Sequence, residues 1–227
     1  MIRAILFDLD GTLADTEPLH YAAFHETFLP EGIELAREEY FSRLIGFNDH
    51  DCFDTVLKEN RRDASAAHLD RLIARKAVSY QNMIRNRDVM YPGAADFVRA
   101  CAARFPLVLV TGTLRDEAEM ILRRSGLREL FLDIVAAEDV EHGKPEPDGF
   151  IMALGRLGFL LRQRDAIEPA QALVIEDTPA GVEAGRRAGM RVLALRHSAS
   201  EAELAGADLI RASLAETDLD DILRRLA

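Results

Sequence analysis

Short apolar runs separated by amphipathic stretches dominate the chain, and the first run sets the frame. Apart from Arg3, residues Ile2 to Phe7 are apolar, and they lead directly into Asp8-Leu9-Asp10-Gly11-Thr12. That is the pattern of a buried parallel strand delivering polar residues to a loop at its carboxyl end. Leu107 to Val110, Ile134 to Ala136, Ala172 to Ile175 and Val192 to Leu195 have the same texture, with helical spacing between them. Repetition of strand, helix and strand predicts a parallel sheet with helices on both faces.

From Glu17 to about Arg87 the pattern is different. Between Ser65 and Asn86, the residues Leu69, Leu72, Ile73, Ala77, Tyr80, Met83 and Ile84 recur at helical spacing behind Ser65 as an N-cap. The alternating pattern resumes after the turn signal Tyr91-Pro92-Gly93. The expectation is a doubly wound, Rossmann-like α/β core made of residues 1–14 and 90–227, with an all-helical cap domain, 15–89, inserted after the first strand. Hinges fall near Leu13 to Asp15 and Val89 to Pro92.

Composition narrows the partners. A chain of 227 residues that is 48% hydrophobic can bury one good-sized core and carry a smaller satellite. Its 28 Lys and Arg against 39 Asp and Glu give a net charge of -11, which repels nucleic acid and acidic membrane surfaces. A small anion stays compatible, because local cations or a metal outweigh the global field within a Debye length of roughly 8 Å. Cys52 and Cys101 form no CxxC pair and read as reduced thiols. The run Ala4 to Phe7 is interrupted at once by Asp8 and Asp10, too short for a signal peptide or a membrane span. A cytoplasmic, monomeric protein is expected.

In open α/β sheets, ligands bind outside the carboxyl ends of strands, so the residues following each predicted strand carry the chemistry. They are Asp8 and Asp10, then Thr111-Gly112-Thr113, then Gly143-Lys144-Pro145, then Glu176-Asp177. Each set alone has a plain reading as a loop, a turn or a linker; their joint placement describes a phosphoryl-transfer site. A carboxylate can attack phosphorus, and a second acid can protonate the leaving oxygen and then activate water. Magnesium prefers carboxylates, a carbonyl and water, which suits Glu176-Asp177. Thr111, the backbone N–H groups around Gly112 and the Lys144 ammonium would hold the phosphoryl oxygens.

These residues carry a resemblance. Asp8-Leu9-Asp10-Gly11-Thr12, Thr111, Lys144 within Gly-Lys-Pro-Glu-Pro-Asp, and Ile175-Glu176-Asp177-Thr178 with Pro179-Ala180-Gly181 resemble the four ordered motifs of the haloacid-dehalogenase superfamily. The resemblance implies Asp8 as nucleophile and Asp10 as general acid/base. It also implies Mg2+ held by Asp8, the Asp10 carbonyl and Asp177, with Glu176 beside them as ligand or orienter. The helical insertion resembles the C1 cap of the subgroup containing β-phosphoglucomutase and small sugar-phosphate phosphatases. There Asp15-Thr16-Glu17, His20 and Phe24 resemble the cap entrance, and Arg75-Lys76 the substrate-facing pair. Gly112, Thr113, His20 and Lys76 are thus the expected substrate-binding residues, and a small phosphorylated metabolite the expected partner.

An acid at Asp10 favours phosphoryl chemistry over dehalogenation, since the dehalogenases carry an aromatic residue there. In the mutase, an arginine in the cap loop after an Ile-Gly-like turn grips a second phosphate. Here Ile45-Gly46-Phe47-Asn48-Asp49 places an acid at that point, so hydrolysis of a monophosphate is preferred to a phosphomutase, and a non-catalytic binding module ranks last because every expected polar position is filled. His20 has the alternative of an ordinary hydrogen-bonded histidine. Lys76 has that of a stem running along the helix's apolar edge. Thr178 and Pro179 fit an N-cap and first helical residue, and Glu141 and His142 fit a solvated loop.

Overall fold

The computed structural model describes residues 1–161 and 166–226; residues 162–165 and 227, which fall in the expected core range, lie outside the described residues. Strand β1 (Ala4–Phe7) is followed by helices α1 (Glu17–Phe28), α2 (Arg37–Glu39, continued by the π-helical turn Tyr40–Leu44), α3 (Asp49–Glu59) and α4 (Ala66–Ile84). The alternating part then runs α5 (Ala94–Ala102), β2 (Leu107–Val110), α6 (Arg115–Arg124), β3 (Phe131–Val135), α7 (Asp148–Leu160) and β4 (Ala172–Glu176). It closes with α8 (Pro179–Arg187), β5 (Arg191–Leu195), β6 (Leu209–Arg211) and α9 (Leu219–Arg225).

All strand pairs are parallel, in the order β3-β2-β1-β4-β5-β6. Alternate side chains of β1 serve the two faces. Ile5 and Phe7 pack with Phe97, Val98, Ile121 and Ile222, while Ala4 and Leu6 pack with Phe150, Leu157 and Val182. Burial on both faces is why these strands read as continuous apolar runs. The sheet departs from that reading at its edges. β3 starts at Phe131, ahead of Ile134, because as an edge strand it exposes Leu132 and only half buries Asp133. β6 is three half-buried residues ending in Arg211 and has no counterpart in the apolar pattern.

The helical block between β1 and α5 has its own core, in which Phe24, Phe28, Phe53, Val56, Leu69 and Leu72 interlock. Its two chain crossings are tied side by side: Asp15 N–H donates to Val89 O at 2.7 Å and Tyr91 N–H to Leu13 O at 2.9 Å. Strand order reverses at β1, which has β2 on one side and β4 on the other, so the crevice at their carboxyl ends is the place for a ligand. The cap roofs it, with Asn48 against Gly112 and Gly143, and Gly46 against Thr178. No described helix is long and apolar enough to cross a membrane.

Candidate active site

Asp8 follows β1, its N–H donating to Ile175 O of β4 at 3.0 Å, which fixes its backbone in the middle of the crevice. The Lys144 ammonium, from the loop before α7, sits 2.5 Å from Asp8 Oδ1 and 2.5 Å from Glu176 Oε1. Glu176 ends β4; its other oxygen, Oε2, accepts from the N–H groups of Asp177 and Thr178 and from the Thr178 hydroxyl. Thr178 in turn caps α8 by accepting the Gly181 N–H at 3.0 Å. A Cβ at Gly181 would lie 1.9 Å from Glu176 Cδ, so a side chain there would displace the carboxylate. Asp177 is held by the hydroxyls of Thr12, at 2.8 Å, and Ser198. Gly11, at φ +80°, completes the packing: a Cβ there would lie 2.2 Å from Asp177 Oδ2.

Asp8, Glu176 and Asp177 offer carboxylate oxygens within 4.8 Å of one another, all three buried. Against them stands one ammonium, Lys144. Burial pushes the Asp8 carboxyl well above the usual range, Lys144 opposing and Glu176 and Asp10 adding to it. Asp177 is raised by burial, then by Glu176 and Asp8. Burial alone would lower the pKa of Lys144, but Asp8 and Glu176 outweigh it and hold the ammonium protonated. Three carboxylates and one cation leave an excess that a divalent cation would balance, and an all-oxygen donor set suits a hard one such as magnesium.

Asp10 sits in a ring of donors. Its Oδ1 takes the Thr16 hydroxyl at 2.6 Å and His20 Nε2 at 3.1 Å; its Oδ2 takes the hydroxyls of Thr113 at 2.5 Å and Thr111 at 3.1 Å. Burial alone would raise this carboxyl, but the His20, Thr113 and Thr16 donors outweigh it and hold Asp10 well below the usual range. Thr111, expected at the phosphoryl oxygens, and Thr113, expected to bind substrate, thus spend their hydroxyls on Asp10 in this arrangement. Gly112 lies between them on the cleft wall.

His20 and Lys76 are joined. Lys76 Nζ lies 2.8 Å from His20 Nδ1 and 2.7 Å from Asp49 Oδ1, over the rings of Phe24 and Tyr80 at 5.0 and 4.8 Å. An ammonium only donates, so Nδ1 accepts and the imidazole's proton sits on Nε2, aimed at Asp10. Lys76 is wholly buried, which corrects the reading of a stem along the helix edge: its charged end is inside, held by Asp49 from α3.

Several residues had gone unnoticed in the sequence. Ser198 and His197, whose Nδ1 meets Gly11 O at 2.7 Å, follow β5, so the rule of strand ends applied to a further strand would have found them. Glu117 of α6 is fully buried with both carboxylate oxygens unpartnered. Burial pushes its pKa from 4.5 up to about 7, Lys76 opposing. A carboxyl raised on folding contributes full stability below its unfolded pKa and loses it as pH rises through the folded one. Glu117→Gln is therefore expected to raise the melting temperature at pH 8, where the wild-type carboxyl must ionise in a buried site, and to change it little at pH 5. Thermal melts at the two pH values check this; equal gains would contradict it.

Asp8 beneath Lys144, at the switch point of a doubly wound sheet roofed by helices, defines a class of α/β hydrolase. The chain belongs to the haloacid dehalogenase-like hydrolases, whose family model matches residues 2–189, and it is an enzyme of that class. It is 31% identical over 192 residues to fructose-1-phosphate phosphatase YqaB of Escherichia coli, spanning 85% of this chain and 95% of that one. It is 33% identical over 229 residues to Protein CbbY of Cereibacter sphaeroides, spanning 95% and 94%. The crystal structure of a CbbY mutant from Rhodobacter sphaeroides with xylulose-(1,5)bisphosphate superposes with a TM-score of 0.82 at 31% identity, over 95% of this chain and 96% of that one. A β-phosphoglucomutase from Clostridium difficile shares the fold, with a TM-score of 0.86 at 23% identity over 100% and 97%.

Proposed function

We propose that the chain is a magnesium-dependent phosphatase hydrolysing a small sugar phosphomonoester through a phosphorylated Asp8. The observation that carries this is the pairing of a buried Asp8 with Lys144 at 2.5 Å, beside an Asp10 fixed by four donors. The relatives named as phosphatases of fructose 1-phosphate and of phosphorylated carbohydrates support the substrate class. Asp8, Asp177 and the Asp10 carbonyl would hold the magnesium, with Glu176 orienting from the side. When bound, the ion supplies positive charge that offsets the nucleophile and the phosphoryl oxygens.

The protein's own groups do the rest. Lys144 lowers the repulsion between Asp8 and the incoming phosphate and holds a phosphoryl oxygen together with the backbone around Gly112. Asp8 Oδ attacks phosphorus while the leaving oxygen takes a proton from Asp10. Water then attacks the aspartyl phosphate, and Asp10 takes its proton and is reset for the next turnover. The ring of donors on Asp10 stabilises the carboxylate, the form that accepts the water's proton. Donation to the leaving oxygen requires those partners to loosen; Thr16 and His20 belong to the cap and would move with it, while Thr111 and Thr113 stay with the core.

The test is phosphate release from a panel of sugar phosphates with magnesium or EDTA, with β-glucose 1-phosphate also followed for glucose 6-phosphate. Magnesium-dependent release, lowered about 10²–10⁴-fold by Asp10→Asn, is the expected result. Isomer formation outpacing release would make the enzyme a mutase, and no turnover of either kind would favour a binding module.

A further inference from the structure

We propose that His197 and Ser198 are positioning residues for magnesium: together they fix the Asp177 carboxylate and the Gly11 peptide beside it, and thereby set how tightly the ion is held. This rests on the magnesium-dependent reading above. Both residues lie just past β5, half-buried, on backbone anchored at each side. Arg196 N–H donates to Arg211 O at 2.9 Å, extending the β5–β6 pairing, and Ser200 N–H donates to Glu203 Oε2 at 2.9 Å. The two side chains are therefore delivered to the crevice from a fixed loop.

Ser198 acts on the carboxylate. Thr12 donates to Asp177 Oδ1 at 2.8 Å and the Ser198 hydroxyl donates to Oδ2, so the carboxylate cannot turn without breaking one of the two bonds. Each oxygen keeps a further lone pair for a cation. His197 acts on the peptide. Its Nδ1 lies 2.7 Å from Gly11 O, and a carbonyl only accepts, so Nδ1 carries the proton. Gly11 N–H donates to Ala14 O at 2.8 Å, so both polar groups of this glycine are tied. A glycine at φ +80° has no side chain to restrain it, and its N–H shares one rigid peptide plane with the Asp10 carbonyl, so these bonds decide where that carbonyl points. The parts are in contact: a Cβ at Gly11 would lie 2.8 Å from Ser198 Oγ and 2.2 Å from Asp177 Oδ2. Tyr91, at the second chain crossing, steadies the imidazole with its ring, the centroids 4.2 Å apart, while its own N–H donates to Leu13 O.

The experiment titrates magnesium into the metal-free full chain without substrate, follows the melting temperature, and takes Kd from its rise with concentration. Ser198→Ala, and His197→Phe, which keeps a ring against Tyr91, are each expected to weaken magnesium about tenfold or more, the usual loss when a group that orients a metal ligand is removed. Ser198→Thr and His197→Asn, which keep a hydroxyl and an N–H donor, are expected to stay within about threefold of the wild type. The magnesium concentration that half-activates phosphate release should rise in step with Kd. Variants that melt lower in EDTA yet bind magnesium as the wild type does would reduce both residues to scaffolding and overturn the proposal. Should a His197 variant fail to fold, the Ser198 pair decides alone. Because binding is read without substrate, a wild type that binds magnesium but releases no phosphate sinks the phosphatase reading, and the ratios of Kd still decide this one. A magnesium-dependent phosphatase whose Ser198→Ala variant keeps the wild-type Kd removes the positioning role alone, and a wild type whose melting ignores magnesium removes both.

Discussion

Asp8→Asn is expected to lower phosphate release by at least about 10⁴-fold and to leave the fold intact. Asn fills the same volume and keeps an oxygen for Lys144, so the packing of the crevice is preserved while the nucleophilic charge is lost. The change also removes one of three buried carboxylates that face a single ammonium. Burial and the neighbouring acids hold the Asp8 carboxyl well above its ordinary range. By the sign of the linkage, that group stabilises the metal-free protein most at low pH and loses the contribution as pH rises through its raised folded value. The inactive variant should therefore melt at a higher temperature than the wild type above neutral pH in EDTA. A variant that keeps more than about a hundredth of the rate would remove Asp8 from the reaction.

Removing magnesium is expected to have the second large effect, and on two readouts. Activity should disappear in EDTA and return with magnesium. Stability should move as well, because an ion that binds only the folded state at about 100 times its Kd adds roughly 2.7 kcal/mol. Asp8 is raised by burial and by Glu176 and Asp10, and Asp177 by burial, Glu176 and Asp8, so the stability that EDTA removes should grow as pH rises above the ordinary carboxylate range. Asp177→Asn should abolish the magnesium-dependent rise in melting temperature along with activity. Melting curves unaffected by magnesium at every pH would count against the acidic cluster as its site.

Much of this was legible in the sequence because its signals are local. A strand buried on both faces has to be apolar, so β1, β2, β4 and β5 stood out, and the polar residues behind them fell at one end of the sheet. Asp8, Lys144, Glu176 and Asp177, spread over most of the chain, meet within a few ångströms for that reason. The sheet's edges were less legible. β6 is half buried and three residues long, and β3 carries an exposed Leu132.

The cap side shows where local patterning stops. Lys76 occupies the apolar edge of α4, and nothing near it in sequence indicates that its ammonium turns inward. The groups that hold it, Asp49 and His20, come from α3 and α1, 27 and 56 residues away. Glu117 lies on α6 with the spacing of an ordinary surface acid, and only the packing of the cap against α6 buries it. Long-range pairing of polar groups is decided by tertiary contact, which periodicity does not encode.

The most direct measurement is an acid quench of the enzyme mixed with magnesium and a ³²P-labelled sugar phosphate, within a single turnover. Label retained on the protein, released by hydroxylamine and mapped to the peptide containing Asp8, is the result this account predicts. Phosphate release by the wild type with no labelled protein at any quench time, and persisting in Asp8→Asn, would contradict it.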